Sequence, residues 1–151
     1  MLGLTAVFTT SAPWHYVDLM SMREDAAAHR RAVQEAQSVA EAEAADALRI
    51  WRTMIDEYAA EYAEAAGPDQ RRTRIGLKRL WVVDGIPTKV MQHADDHETY
   101  AAVGIARDGS WKPLETLYIK GQGTTYRAGN MPAVSSAIPK EQVRSAFVSR
   151  L

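Results

Sequence analysis

Apolar side chains recur at three- and four-residue spacing from Leu48 onward, where Leu48, Trp51, Ile55, Tyr58 and Tyr62 fall on one face of a helix. Upstream, a similar spacing continues in small side chains: Val33, Ala36, Ala40 and Ala44. No Gly or Pro interrupts 21–66, and Ala, Glu, Arg and Gln dominate it, residues that sit well in a helix interior. Ser21-Met22-Arg23-Glu24 fits a capping box, in which the Ser hydroxyl accepts the amide three residues on and the Glu reaches back. Gly67 followed by Pro68 marks the other end, Gly by turning left-handed and Pro by refusing to continue. The pattern predicts a long helix over 21–67 whose second half is core and whose first half is a thin, small-residue contact surface.

Before that helix, 1–20 holds Phe8, Trp14, Tyr16, Val17 and Leu19. It reads as an arm, extended from Thr5 to Thr10 and broken at Pro13. Aromatics this dense belong against the same domain or a neighbouring subunit, and Trp14 and Tyr16 are the contact candidates.

After Gly67-Pro68 the chain becomes β-rich, with strands expected at 74–83, 86–93, 99–106, 111–120 and 124–127. Asp84-Gly85 is a strong two-residue hairpin signal, and Pro87 opens the return strand where a lost amide is tolerated. A polar turn at 94–98, Arg107-Asp108-Gly109-Ser110 and Gly121-Gln122-Gly123 supply the remaining reversals. Strands joined this tightly make an antiparallel meander of four to five strands, one face of which the Leu48–Tyr62 stripe covers. After an irregular 128–138, Pro139 starts a last helix with Val143, Ala146, Phe147 and Leu151 facing inward. The fold class is α+β, a single domain with a helical extension: arm 1–20, helix 21–67, and sheet plus short helix over 68–151.

Length makes the helix informative. At 1.5 Å per residue it measures about 68 Å, whereas a domain of 151 residues is about 40 Å across. Either it kinks near Gln37-Ser38 and folds back, or its first half projects. No turn residue marks a kink, so Val33, Ala36 and Ala40 are expected to meet a partner or a second copy.

Composition narrows this further. With 46% hydrophobic residues the chain has enough material for one real core. Cysteine is absent, which excludes disulfides and thiol chemistry. Arg far outnumbers Lys and Ala is abundant, pointing to a GC-rich bacterial or bacteriophage genome. The amino terminus lacks the basic flank of a signal peptide, and no run approaches the ~20 apolar residues of a membrane span. A cytoplasmic protein, or a component of a virion assembled there, is the expectation, with no membrane partner. Net charge is −1, yet 21–66 carries ten Asp/Glu against five Arg, while 67–151 carries eight against thirteen Lys/Arg. That asymmetry suits packing within the chain or head-to-tail self-association.

Three constellations carry potential chemistry. His93-Ala94-Asp95-Asp96-His97-Glu98 contains metal-ligand types, with His93, Asp95 and His97 the candidates, but in a turn between strands such polarity is what solvent requires. Arg71-Arg72-Thr73-Arg74, followed by Lys78-Arg79, is a basic run that can track a phosphate backbone, with Trp81 close by for a base to stack on. Gly121-Gln122-Gly123 lacks the third glycine and the following helix of a nucleotide cradle, so it reads as a hairpin loop. No catalytic set has supporting local context. Finally, Ala137-Ile138-Pro139-Lys140-Glu141-Gln142-Val143-Arg144 resembles the last segment of some actinobacterial toxin-immunity proteins, a likeness confined to this terminus that implies a small protein-binding protein. The leading expectation is a non-catalytic interaction or assembly protein with no cofactor. A nucleic-acid-binding regulator using Arg71, Arg72, Arg74, Lys78 and Arg79 is the alternative. A toxin-immunity-like binder or a small-molecule pocket between helix and sheet is third.

Overall fold

Helix-favouring residues run almost unbroken through the first half of the chain, and helix α1 spans Leu2–Ala65. The computed structural model describes the backbone at 2–91, 94–95 and 97–151, and the side chains of those residues from 21 onward. Two corrections follow at the start of α1. The capping box at Ser21 is not used, because the helix already runs through it, and the expected extended arm is helical. Pro13 removes one ladder bond, a local penalty of about 3 kcal/mol, and Gly is absent from 14–20, so nothing else there opposes helix. At the other end α1 stops at Ala65, two residues early, and Gly67 does not adopt a positive φ. A residue preceding proline is disfavoured in the α region, so Pro68 ends the helix without a left-handed cap.

The chain forms two compact units, Met1–Ala42 and Glu43–Leu151. The first is helix throughout its described residues. The second contains the rest of α1, five strands and helix α2: β1 (Thr73–Ile75), β2 (Lys78–Lys89), β3 (Thr99–Ile105), β4 (Trp111–Ile119), β5 (Gly123–Ala128) and α2 (Lys140–Val148). The strands form one antiparallel sheet in the order β1-β2-β3-β4-β5, the expected meander.

The strand count agrees with expectation, but the first hairpin lies elsewhere. Asp84-Gly85 does not turn the chain; β2 runs through it. Val83 pairs with Val103 and Ile86 with Ala101, so between these pairs β2 carries one residue more than β3, a bulge with Gly85 at φ +71°, and a second shift follows between Pro87 and Lys89. A bulge of this kind and a tight hairpin both need Gly at positive φ, so one dipeptide serves either. The real reversal is Gly76-Leu77, where Ile75 pairs with Lys78 and Gly76 has φ +64°. Leu77 keeps a negative φ, which makes this the Gly-X turn with glycine first.

The bulge resets side-chain parity, so Trp81 and Val83 before it and Ile86 after it all reach the same buried cluster. They pack with Val103 and Ile105 against Trp51, Ile55, Tyr58 and Tyr62 of α1 and against Val143, Ala146 and Phe147 of α2. Trp51 is fully buried, donates its indole N–H to the Pro87 carbonyl at 3.1 Å, and meets Trp111 edge-on. On the opposite face Ile75, Leu80, Ala102 and Leu114 form a smaller cluster, around which the sheet curls until β1 and β5 approach each other. Pro139 caps α2 rather than starting it, and Leu151, expected inside, is exposed.

Candidate functional site

Two surfaces stand out. The first is the helical segment 21–42, whose residues are all exposed except the half-buried Ala27. Val33, Ala36 and Ala40 share one face there, and Met22, Val33 and Val39 expose half or more of their surface. Gln37 donates to Glu41 one turn on. Trp14 and Tyr16 lie outside the residues whose side chains are described.

The second surface is built where α1 hands over to the sheet. Trp81, on the helix-facing side of β2, donates its indole N–H to the Gln70 carbonyl at 3.2 Å. Gln70 in turn donates its side-chain amide to the Tyr62 hydroxyl at 3.1 Å and also to the Arg150 carbonyl, which accepts from Tyr62 as well. Burial raises the Tyr62 pKa, against the smaller opposing effects of Gln70 and Arg150. These bonds tie residues 67–72 to α1, β2 and the carboxy-terminal residues at once, so the loop is held rather than loose.

On that scaffold four arginines converge. Arg71, Arg72, Arg74 and Arg79 line an open cleft of about 840 Å³. Arg72 extends its guanidinium over the Trp81 ring, 6.0 Å from the centroid. Arg74 and Arg79 are direct cross-strand partners in the β1–β2 hairpin. Such partners project from the same face with Cβ atoms about 5 Å apart, and like charges so placed repel. Among the described residues the ion pairs are Arg49–Asp46, Arg127–Glu115, Lys140–Glu57 and Arg150–Asp84, so none of the four cleft arginines has a carboxylate partner. Asp69 alone brings a negative charge to the lining.

The structure divides the expected basic set. Lys78 pairs with Ile75 and therefore lies on the opposite face from Arg79, away from the cleft. Its charge reaches Asp108 instead, whose pKa is lowered chiefly by hydrogen bonds from Ser110 and least by Lys78. Nor is Trp81 open for base stacking: it is buried, with Tyr62 edge-on and Arg72 above it. Sequence reasoning missed the Arg74–Arg79 pair because it placed the hairpin at Asp84-Gly85, and Gly76-Leu77 was the signal that would have revealed it. It also missed the role of Arg150, which reaches Asp84, while Tyr126 donates to the same carboxylate at 2.5 Å.

The remaining candidates are weaker. Asp95 and His97 are exposed, His93 and Asp96 lie outside the described residues, and no group of three metal-ligating side chains gathers among the described residues. Trp51, Val83 and Val103 fill the interior between helix and sheet, and at its edge an open cleft of about 450 Å³ is lined by Arg52, Asp56 and Ala60 of α1 and by Trp111 and Pro113 of β4. Among the described residues no helix is long and apolar enough to cross a membrane. Set against known protein families, curated proteins and solved structures, the chain matches none.

Proposed function

We propose that this chain is a non-catalytic assembly protein, bacterial or phage in origin, whose helix over 21–42 associates with a second copy of itself. The observation that carries this reading is the exposure of the whole segment. Helices in folded proteins draw most of their stability from packing one face, and none of the described side chains here is buried. Val33, Ala36 and Ala40 keep that face narrow enough for a second helix to approach closely. Charge favours one orientation: Arg30 and Glu41 flank the same edge of that face, so an antiparallel copy sets opposite charges against each other. The location that suits it is the cytoplasm or a particle assembled there.

The test is Ala36→Glu with Ala40→Glu. Two unpaired carboxylates in a close helix seam cost several kcal/mol, whereas on a solvent-facing helix Glu is nearly as good as Ala. Light scattering should show self-association in the parent and its loss in the double variant, with the thermal melt of the sheet unit unchanged. An oligomer that survives the two glutamates, or a parent that stays monomeric at high concentration, refutes the reading.

A further inference from the structure

We infer that the arginine cleft beside the β1–β2 hairpin binds the phosphate backbone of a nucleic-acid strand, without reading its sequence. The inference is independent of the helix and of self-association. It starts from a local imbalance: Arg74 and Arg79 stand directly opposite each other, Arg71 and Arg72 join them in one concavity, and no carboxylate among the described residues pairs with any of the four. An arrangement that repels itself in the free protein is relieved by an anion seated between the guanidinium groups. Arg74 gives its Nε–H to the Gly76 carbonyl, and its Nη groups, like those of the other three arginines, form a planar fork that matches two phosphate oxygens.

The form of the cleft selects among anions. It is open rather than enclosed, and its lining of Arg, Thr73, Gln70, Pro68 and Asp69 contains no aromatic side chain. A nucleotide held by its base needs a base pocket or a stacking platform, and Trp81, the nearest aromatic, is buried beneath Arg72. What the cleft offers is a series of positive charges along a hairpin edge, which suits successive phosphodiesters. The loop bearing Arg71 and Arg72 is held at Gln70 by the Trp81–Gln70 and Gln70–Tyr62 hydrogen bonds, so its backbone needs little ordering on binding and the remaining cost lies in the arginine side chains. The overall charge of −1 does not oppose this, because at physiological salt a surface charge acts within about 8 Å and the four arginines dominate their own neighbourhood.

The experiment titrates fluorescein-labelled single-stranded and duplex oligonucleotides against the full chain at low and moderate salt. If the four arginines neutralise about four phosphates, affinity for a single strand falls roughly 50-fold between about 50 and about 200 mM salt. Arg74→Gln with Arg79→Gln should weaken binding at least about tenfold and flatten the salt dependence, with a melting temperature close to the parent's, because the change removes a repulsion together with the exposed Arg74–Gly76 hydrogen bond. Lys78→Gln removes the same charge one residue away, on the other face, and should leave binding unchanged. Inorganic phosphate and pyrophosphate, added at constant ionic strength, should compete only weakly. Four outcomes overturn the inference: no salt-sensitive binding, equal loss in Lys78→Gln, full displacement by inorganic phosphate at low concentration, or tighter binding of a poly-glutamate peptide than of the oligonucleotide.

Discussion

Residues 21–42 and 43–65 belong to the same helix type and draw on the same Ala- and Glu-rich vocabulary, yet their side chains meet opposite fates. The first stretch leaves every side chain exposed except the half-buried Ala27. The second buries Ala47, Trp51, Met54, Ile55, Tyr58, Ala59 and Tyr62. Propensity does not separate them, since alanine and glutamate favour helix in both. What separates them is volume on one face. A Trp, an Ile and two Tyr remove far more apolar area from water than a Val and several Ala can. The lesson is that the same period carries two messages: large residues at that spacing announce a core, and small ones leave the helix face exposed.

The largest expected effect tests the buried side. Trp51→Ala removes a fully buried indole, its edge contact with Trp111 and its hydrogen bond to the Pro87 carbonyl. The loss should be about 3–5 kcal/mol in urea melts of the full chain. A change below about 1 kcal/mol means that the helix–sheet interface closes over the gap, and that volume on this face is not what distinguishes the two stretches.

How much of this was readable in advance follows the same division. Trp51, Ile55, Tyr58 and Tyr62 were legible because periodicity and side-chain size agreed, and all four are buried. Val143, Ala146 and Phe147 of α2 were legible for the same reason. The β1–β2 region was not. Asp84-Gly85 supplies a positive-φ glycine in the middle of a strand, and only the pairing partner, Val103 or a return strand, decides between bulge and turn. Gly76-Leu77 is a weak signal in sequence because a leucine does not advertise a turn, although glycine alone is needed there. The arginine cleft inherited that error. Its residues were named from their spacing, but the division between Arg79 and Lys78 depends on strand register, which local sequence does not contain.

A smaller effect concerns the links that exist only when the sheet unit is folded. Tyr126 donates to Asp84, and burial first, then that hydrogen bond and the carboxylate charge, push its pKa up to about 12, with Arg150 pulling the other way. An unfolded tyrosine titrates near 10. The raised folded value means that the phenol's contribution is complete below about pH 10 and disappears as pH rises through about 12. Tyr126→Phe should therefore be less stable than the parent at neutral pH, by about 1 kcal/mol for one lost hydrogen bond. That gap should narrow over the alkaline window. A gap independent of pH would show that Tyr126 acts through packing alone, and ultraviolet titration of the two proteins would show whether the late-ionising phenol is the one removed.

The smallest effect is the most discriminating for the exposed side. Val33 and Val39 are both exposed, at 50% and 57%, and both are β-branched residues in a helix. Replacing either with Ala should favour the helix by a few tenths of a kcal/mol, because the restricted Val side chain gives way to the best helix former. Their positions differ, however. Val33 shares a face with Ala36 and Ala40, whereas Val39 sits about 100° around the helix from the middle of that face. If a second copy covers the face, Val33→Ala removes two methyl groups from the seam and weakens association, while Val39→Ala leaves it intact. Thermal melts under monomeric conditions should be alike for the two variants and equal to or slightly above the parent's. Sedimentation at rising concentration should then separate them, with Val33→Ala dissociating at the higher concentration. Equal association by both variants and the parent would mean that the narrow face is open to water, and that the small-residue stretch of the helix stands by its propensity alone.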